Sequence, residues 1–230
     1  MRLLMTYMFL SFCAIALHAQ PWFCTEAGTE LLYTRYYVED GSVKWNHAMN
    51  ILESAMDGQD SSLTVTYSSY IRTADGKGLE NMEAPAVMTA VVSRTGDVTL
   101  DIAASMVSVL RGILWDKVRI TAEGGLTRLP SEMAIGDRLP DAAGKVKALG
   151  MTMDVSVSER MVIGTDTITT PAGTFDCVIV SEHKVEKGMT RNRVTTAWTW
   201  YARGVGMVRH DTYDKNMVRE TTEVLERIIR

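Results

Sequence analysis

Histidines and serines are the residues of this sequence best suited to nucleophilic catalysis, because an imidazole beside a hydroxyl can accept its proton. His47, His183 and His210 occur together with many serines and aspartates, so a Ser-His-Asp set could be composed on paper. The sequence has no Gly-x-Ser-x-Gly motif, however, and the abundance of suitable residue types does not bring them together. We therefore predict no catalytic residues and a protein that is not an enzyme.

Metal ligands and paired carboxylates give equally little support for a reactive site. His183 and His210 fall on neighbouring predicted strands, but no second histidine or cysteine stands at ligand spacing, so we predict no metal site and no cofactor. Glu220, Glu223 and Glu226 have the spacing of a solvated face. An acid and base for glycoside cleavage would instead have to face each other across a cleft.

Tryptophan and methionine suggest a different chemistry, the binding of an apolar molecule. Trp198 and Trp200 share one face of a predicted strand. Methionine side chains adapt to irregular apolar ligands. We predict an apolar binding surface formed by Trp45, Trp198, Trp200 and Met207, with a hydrophobic small molecule or lipid as ligand. The alternative for these residues is an ordinary core, and the alternative function is a structural or protein-interaction role in the cell envelope.

The first 19 residues predict the compartment. Arg2 is followed by an uncharged, mainly apolar run from Leu3 to Leu17, and Ala19 offers a small residue for cleavage, which is the order found in secretory signal peptides. The run is roughly 15 residues long, short of the ~20 that span a bilayer. We predict a signal peptide over residues 1–19, a single β-rich domain over residues 20–230 and a periplasmic or secreted product. No later segment predicts a membrane span, and Phe23 before Cys24 argues against lipid attachment at that cysteine.

Cysteine content and net charge give two further predictions, one about disulfide formation and one about partners. Removal of the signal leaves Cys24 and Cys177, and two cysteines in an oxidising compartment predict one disulfide. Two buried free thiols are the alternative. The formal charge of −4 gives no electrostatic reason to expect a nucleic acid partner.

Alternation of polar and apolar residues predicts a mainly β fold. Strands are predicted over 30–39, 44–55, 62–72, 85–93, 97–100, 151–161, 166–170, 174–186, 192–202, 205–212 and 218–228, separated by short turns such as Asp40-Gly41. Ile102, Met106, Leu110 and Ile113 instead recur at helical spacing, which predicts a helix from Asp101 to Leu114. Consecutive strands joined by tight turns form an antiparallel meander. The predicted fold is a curved half-barrel or open barrel with one or two short helices.

Two segments carry a resemblance to a known family. They are residues 170–177, Thr-Pro-Ala-Gly-Thr-Phe-Asp-Cys, and residues 200–208, Trp-Tyr-Ala-Arg-Gly-Val-Gly-Met-Val; the loop containing residues 129–139 and the segment around Gly28 add to it. The sequence resembles the TapB-like, domain-of-unknown-function envelope proteins of Bacteroidetes-type bacteria. The resemblance implies an exported, largely antiparallel β protein, similar to the half-barrels of periplasmic lipoprotein carriers. It implies no activity and no catalytic residues.

Overall fold

A computed structural model describes residues 20–114, 118–188 and 191–230. The predicted signal peptide, residues 1–19, lies outside the described residues. Within these three stretches no helix is long and apolar enough to cross a membrane.

One antiparallel sheet of 13 strands makes up most of the structure, and it curves into a nearly closed barrel-like shape. The sheet order is β6-β8-β9-β10-β11-β12-β13-β1-β2-β3-β4-β5-β7, so most neighbours in space are also neighbours in sequence. The predicted mainly β, antiparallel fold is therefore confirmed. The strands are β1 Glu30–Tyr37, β2 Val43–Met56, β3 Leu63–Thr73, β4 Ala86–Val92, β5 Val98–Asp101, β6 Ile120–Gly124, β7 Leu126–Leu129, β8 Ala142–Ala148, β9 Met151–Thr170, β10 Gly173–Gly188, β11 Arg191–Ala202, β12 Gly206–Tyr213 and β13 Arg219–Ile229.

Helix α1, Ile102–Ile113, follows β5 directly and confirms the predicted helix. The Asp101 side chain accepts hydrogen bonds from the amide nitrogens of Ala103 and Ala104, which satisfies two of the unpaired donors at the helix start. Met106 is buried as the spacing predicts, but Ile113 is exposed. Gly112 is buried instead, where α1 packs so closely on β3 that a Cβ would lie 2.9 Å from the Ile71 side chain. A 3-10 turn, Leu79–Met82, is the second short helix.

The two ends of the sheet are consecutive parts of the chain. Strand β6 pairs with β8 and strand β7 pairs with β5, and only Gly125 separates β6 from β7. Gly124 and Gly125 adopt φ values of +72° and +91°, which L side chains rarely tolerate. A Cβ at Gly125 would lie 2.8 Å from the backbone nitrogen of Ala103 in α1. The chain can therefore cross from one sheet edge to the other only because these positions are glycines.

The buried Arg160 side chain on β9 connects the strands that meet at this junction. Its guanidinium donates to the side chain of Thr127 on β7, and to the carbonyl of Pro140 at 2.9 Å. It also forms an ion pair with Glu182 on β10 at 3.3 Å. Because the Arg160 side chain is almost completely buried, these partners replace the water that it loses on folding.

The inner face of the sheet and the segment before β1 supply the core. Leu31, Val65 and Leu225 are completely buried, and Trp22 and Phe23 pack against them in the same cluster. The indole nitrogen of Trp22 donates to the carbonyl of Ser131 at 3.1 Å, which fixes the segment against the loop that precedes β8.

The predicted disulfide between Cys24 and Cys177 is wrong, because both cysteines are buried free thiols. The Cys177 thiol lies 3.6 Å from the carbonyl of Phe175 on its own strand and donates to it. Burial, reinforced by the charges of Asp166 and Asp176, raises the pKa of Cys177 to about 12, so the unreactive thiol form persists. Compartment and cysteine number favoured a bridge, but they carry no information about whether two side chains meet with disulfide geometry.

Candidate functional site

A cavity of about 300 Å³ lies between the concave face of the sheet and helix α1. Its walls combine apolar side chains with polar side chains from β1, β2, β3, β10, β12 and β13. The apolar part of the lining includes Trp22, Phe23, Trp45, Met49, Tyr67, Ile71, Met88, Leu100, Met106, Val109 and Met207. The polar part includes Arg35, His47, Ser69, Lys184, His210 and Glu223.

The four residues predicted to bind a ligand are divided between the two faces of the sheet. Trp45 and Met207 line the cavity. Trp198 and Trp200 do not, because they alternate along β11 with Tyr201, whose side chain faces the cavity. The Trp200 ring instead packs under the guanidinium of Arg209, 4.7 Å from the ring centroid. The structure thus brings together two of the four residues, and their role in binding stays a prediction.

The Trp45 indole is distinctive within the cavity wall. Trp45 is 8% exposed, and its Nε1–H is buried without a hydrogen-bond acceptor among the residues that the structure describes. A buried donor without an acceptor costs roughly 1–3 kcal/mol. The Arg35 guanidinium lies over the Trp45 ring, 4.8 Å from its centroid, and holds the ring in place. The Trp45 ring therefore lines the cavity in a fixed position, while its Nε1–H is buried within the protein.

Arg35 and Glu223 form the charged centre of the polar group. Arg35 on β1 stands directly opposite Glu223 on β13 and opposite Trp45 on β2, so strand register sets both of its contacts. Its Nη1 donates to Glu223 Oε2 at 3.1 Å, and its Nε donates to Thr221 Oγ1 at 2.9 Å. Both side chains are almost fully buried, in contrast to the solvated face predicted for the glutamates of β13.

Glu223 is ionised although it is buried. Burial by itself raises the pKa of a carboxyl group, but the hydrogen bond from His47 and the positive charge of Arg35 outweigh burial and lower the pKa to about 2. An ionised carboxylate only accepts hydrogen bonds. Since Glu223 Oε1 lies 3.0 Å from His47 Nδ1, the proton of a neutral His47 resides on Nδ1.

The tautomer of His47 also sets the direction of its hydrogen bond with Ser69. With its Nδ1 protonated, a neutral His47 has an accepting Nε2, which lies 2.9 Å from Ser69 Oγ. The Ser69 hydroxyl therefore donates to Nε2. The Tyr33 ring stacks on the imidazole, with centroids 5.2 Å apart, and so restricts its rotation. Tyr33 itself is fixed, because its hydroxyl donates to the carbonyl of Met207 at 3.0 Å. The result is an ordered Ser69–His47–Glu223 series of hydrogen bonds on the cavity wall.

His210 lies on the other side of the charged centre. Its Nδ1 is 2.9 Å from the hydroxyl of Thr199. Burial, followed by the charge of Arg35, lowers the pKa of His210 to about 3, so the ring is neutral at physiological pH. Lys184 completes the polar lining and pairs with Glu186 at 3.0 Å.

Ser69, Glu223 and Arg35 were not predicted as site residues. The alternation along β2 places His47 beside Trp45 and Met49, and the same alternation along β3 places Ser69 on the face of Tyr67. A polar residue at an inward position of an otherwise apolar face was therefore the available signal. The partners of His47 are 22 and 176 positions away in sequence, so their identity depends on the fold.

Comparison with known proteins relates the fold to two solved structures. A candidate exported protein with a YmcC-like fold from Bacteroides fragilis is 22% identical, with a TM-score of 0.76 over 92% of this chain and 100% of the other. A candidate lipoprotein from Parabacteroides distasonis is also 22% identical, with a TM-score of 0.74 over 92% of this chain and 99% of the other. At this identity the likeness establishes the fold alone. No curated protein matches the chain.

The family comparison covers most of the sequence. Residues 26–225 match the model of the DUF3108-like family, whose name denotes a domain of unknown function. The match agrees with the predicted resemblance to a family without known activity. The match supports neither the predicted TapB-like name nor the predicted similarity to lipoprotein carriers. Since the match includes nearly all of the described sheet, the chain belongs to the DUF3108-like family.

Proposed function

We propose that this is an exported binding protein for an amphipathic molecule, held in the cavity between the concave sheet face and helix α1. The observation that carries the proposal is the lining of the cavity, in which the Trp45 ring and several methionine side chains lie beside the charged Arg35–Glu223 pair. A ligand with an apolar body and a polar head group would cover the methionine and aromatic surface and keep its polar end beside this pair.

Three further observations support this proposal. The cavity lies at the lower end of the size range of small-molecule sites, about 300–1,000 Å³. Met49, Met88 and Met106 line it and can adjust to the shape of an alkyl chain. The resemblance to lipoprotein carriers and the candidate exported and lipoprotein neighbours point to the cell envelope, where lipid-like molecules are abundant.

Native mass spectrometry of the purified protein, followed by organic extraction, tests for a co-purifying ligand. We expect a bound apolar species that is released on unfolding, and a protein that binds neither a co-purified species nor added lipid would contradict the proposal. The envelope protein-interaction role predicts instead a defined partner in cellular crosslinking.

Binding of 1-anilinonaphthalene-8-sulfonate to the folded protein gives a second, residue-specific test. Trp45→Ala removes the ring from the cavity lining, and we expect it to weaken binding by about tenfold or more, since the burial of apolar ring surface contributes more than about 1 kcal/mol. Trp200→Ala is the matched control, because Trp200 is also buried but lies outside the cavity lining. Equal effects of the two substitutions would contradict a role of Trp45 in binding.

A further inference from the structure

The hydrogen bonds around His47 have the arrangement that activates a serine for attack on an acyl group. Ser69 Oγ lies 2.9 Å from His47 Nε2, and Glu223 Oε1 lies 3.0 Å from His47 Nδ1. Both distances are within the range for a nucleophile and its base, and for a base and the group that orients it. The order of roles is that of serine hydrolases, in which geometry rather than sequence order identifies the set.

The protonation states also agree with this arrangement. Because Glu223 accepts from Nδ1, the neutral imidazole holds its free lone pair on Nε2, toward the Ser69 hydroxyl. Arg35 binds the second oxygen of Glu223 and keeps the carboxylate turned toward His47. The stacked Tyr33 ring limits the imidazole to one orientation. Every member except the serine is therefore positioned by a further contact, as pre-organised catalytic groups require.

Access to a substrate distinguishes this series from a set of contacts sealed in the core. Ser69, His47 and Glu223 all line the cavity, together with Met49, Met106 and other apolar side chains. Helix α1 lies directly over the serine, where Ser108 Oγ is 3.5 Å from the Ser69 carbonyl oxygen. An acyl group in the cavity would thus meet the serine hydroxyl in a site shielded from bulk water.

We infer that Ser69 is a nucleophile for carboxylic esters that have a short or flexible apolar acyl chain, with His47 as its general base and Glu223 and Arg35 as positioning residues. This inference goes beyond ligand binding and departs from the sequence-based expectation of a protein without enzymatic activity. It rests on the hydrogen bonds of Ser69, His47 and Glu223 and not on the affinity of the apolar lining for a ligand, so the two proposals can fail separately.

The reaction balances with water as the only co-reactant. Ser69 Oγ bonds to the ester carbonyl carbon while its proton passes to His47 Nε2. The carbon–oxygen bond to the leaving alcohol then breaks, and the alcohol takes that proton. A water molecule attacks the acyl-serine, gives its proton to His47, and releases the carboxylic acid as the proton returns to Ser69. The sum is ester plus water to acid plus alcohol.

Reaction of the full mature chain with p-nitrophenyl acetate tests the inference. We expect release of nitrophenolate with an acetyl adduct that maps to Ser69 by peptide mass analysis. Ser69→Ala should abolish the adduct, whereas Ser68→Ala, which changes the neighbouring serine on the opposite face of β3, should leave it unchanged. His47→Gln should lower the acylation rate by roughly 10²–10⁴-fold, the usual contribution of a general base.

Several outcomes would overturn the inference. Wild-type protein that releases nitrophenolate no faster than Ser69→Ala, or an adduct at any other residue, removes Ser69 as the nucleophile. Circular dichroism and thermal unfolding of each variant separate loss of reactivity from loss of fold. If Ser69→Ala does not fold, the position of the adduct in the wild-type protein decides the question alone.

Discussion

The ionised state of the buried Glu223 side chain predicts how the free energy of unfolding depends on pH. The folded protein lowers the pKa of this carboxyl from 4.5 to about 2, against the opposing effect of burial. Each unit of pKa corresponds to about 1.4 kcal/mol, so the ionised carboxylate contributes roughly 3 kcal/mol to the free energy of unfolding. Because the pKa is depressed in the folded state, this contribution is fully present above about pH 4.5 and is lost as the pH falls toward about 2.

Glu223→Gln isolates that contribution. At neutral pH the variant leaves the buried Arg35 guanidinium without its carboxylate, and we expect it to lose roughly 3–5 kcal/mol of stability. Urea unfolding of both proteins at a series of pH values gives the difference in unfolding free energy at each pH. That difference should shrink by roughly 2 kcal/mol between about pH 6 and about pH 3, because the unfolded wild-type chain takes up a proton at this carboxyl over that range while the folded protein does not.

Other carboxyl groups titrate over the same range, but they are common to both proteins and cancel in the difference. Glu226→Gln serves as the matched control, since Glu226 lies on the same strand and accepts one hydrogen bond from Tyr36 at 2.9 Å. At neutral pH this control should cost far less stability than Glu223→Gln, because it removes one partly buried hydrogen bond and no buried ion pair. A pH-independent difference for Glu223→Gln would refute the interpretation of Glu223 as a carboxylate held ionised by His47 and Arg35.

Three further predictions concern the closure of the sheet and the buried histidine. Arg160→Met should lower the free energy of unfolding, measured in urea, by roughly 3–5 kcal/mol, because it leaves Glu182 without its buried ion-pair partner. Lys145→Met breaks an exposed ion pair and should cost no more than about 1 kcal/mol. Gly125→Ala should destabilise by well over the ~1 kcal/mol expected for Gly136→Ala, which has a similar φ of +95° but no atom near its Cβ; equal changes in melting temperature would contradict the close approach to α1. His210→Gln should reduce the stability lost as the pH falls from 6.5 toward about 3, because the folded state lowers the pKa of this histidine and the unfolded state takes up the proton first. Urea unfolding at several pH values checks this, and an unchanged pH profile would show that the ring is not held neutral.

The strands and the helix of this fold could be predicted because their signals are local. Alternation over eight or more residues defines most of the strands, and the helical spacing that begins at Ile102 stands directly after a capping aspartate. Strands β6, β7 and β8 were not predicted. Two of them are only four or five residues long, and Gly124 and Gly125 interrupt the pattern at the point where the chain changes pairing partner.

The candidate site could be predicted only in part. Alternation correctly placed Trp198 and Trp200 on a common face, but it does not say which face of a strand points inward. Trp45 and Met207 line the cavity, whereas the other two tryptophans do not. Glu223 was assigned to a solvated face because its spacing to other glutamates resembled one, although its partners are Arg35 on β1 and His47 on β2.

Local patterns in the sequence were enough to identify the antiparallel strands other than β6, β7 and β8, the turns between them and the capped helix, because each of these depends on residues a few positions apart. The tertiary structure alone decided which strand faces enclose the cavity, that Cys24 and Cys177 remain free thiols, and that Ser69, His47 and Glu223 meet. The physical reason is strand register. The contact between His47 and Glu223, 176 positions apart, exists only because β1 pairs in register with both β2 and β13, and a slip of one residue would turn these side chains to the opposite face.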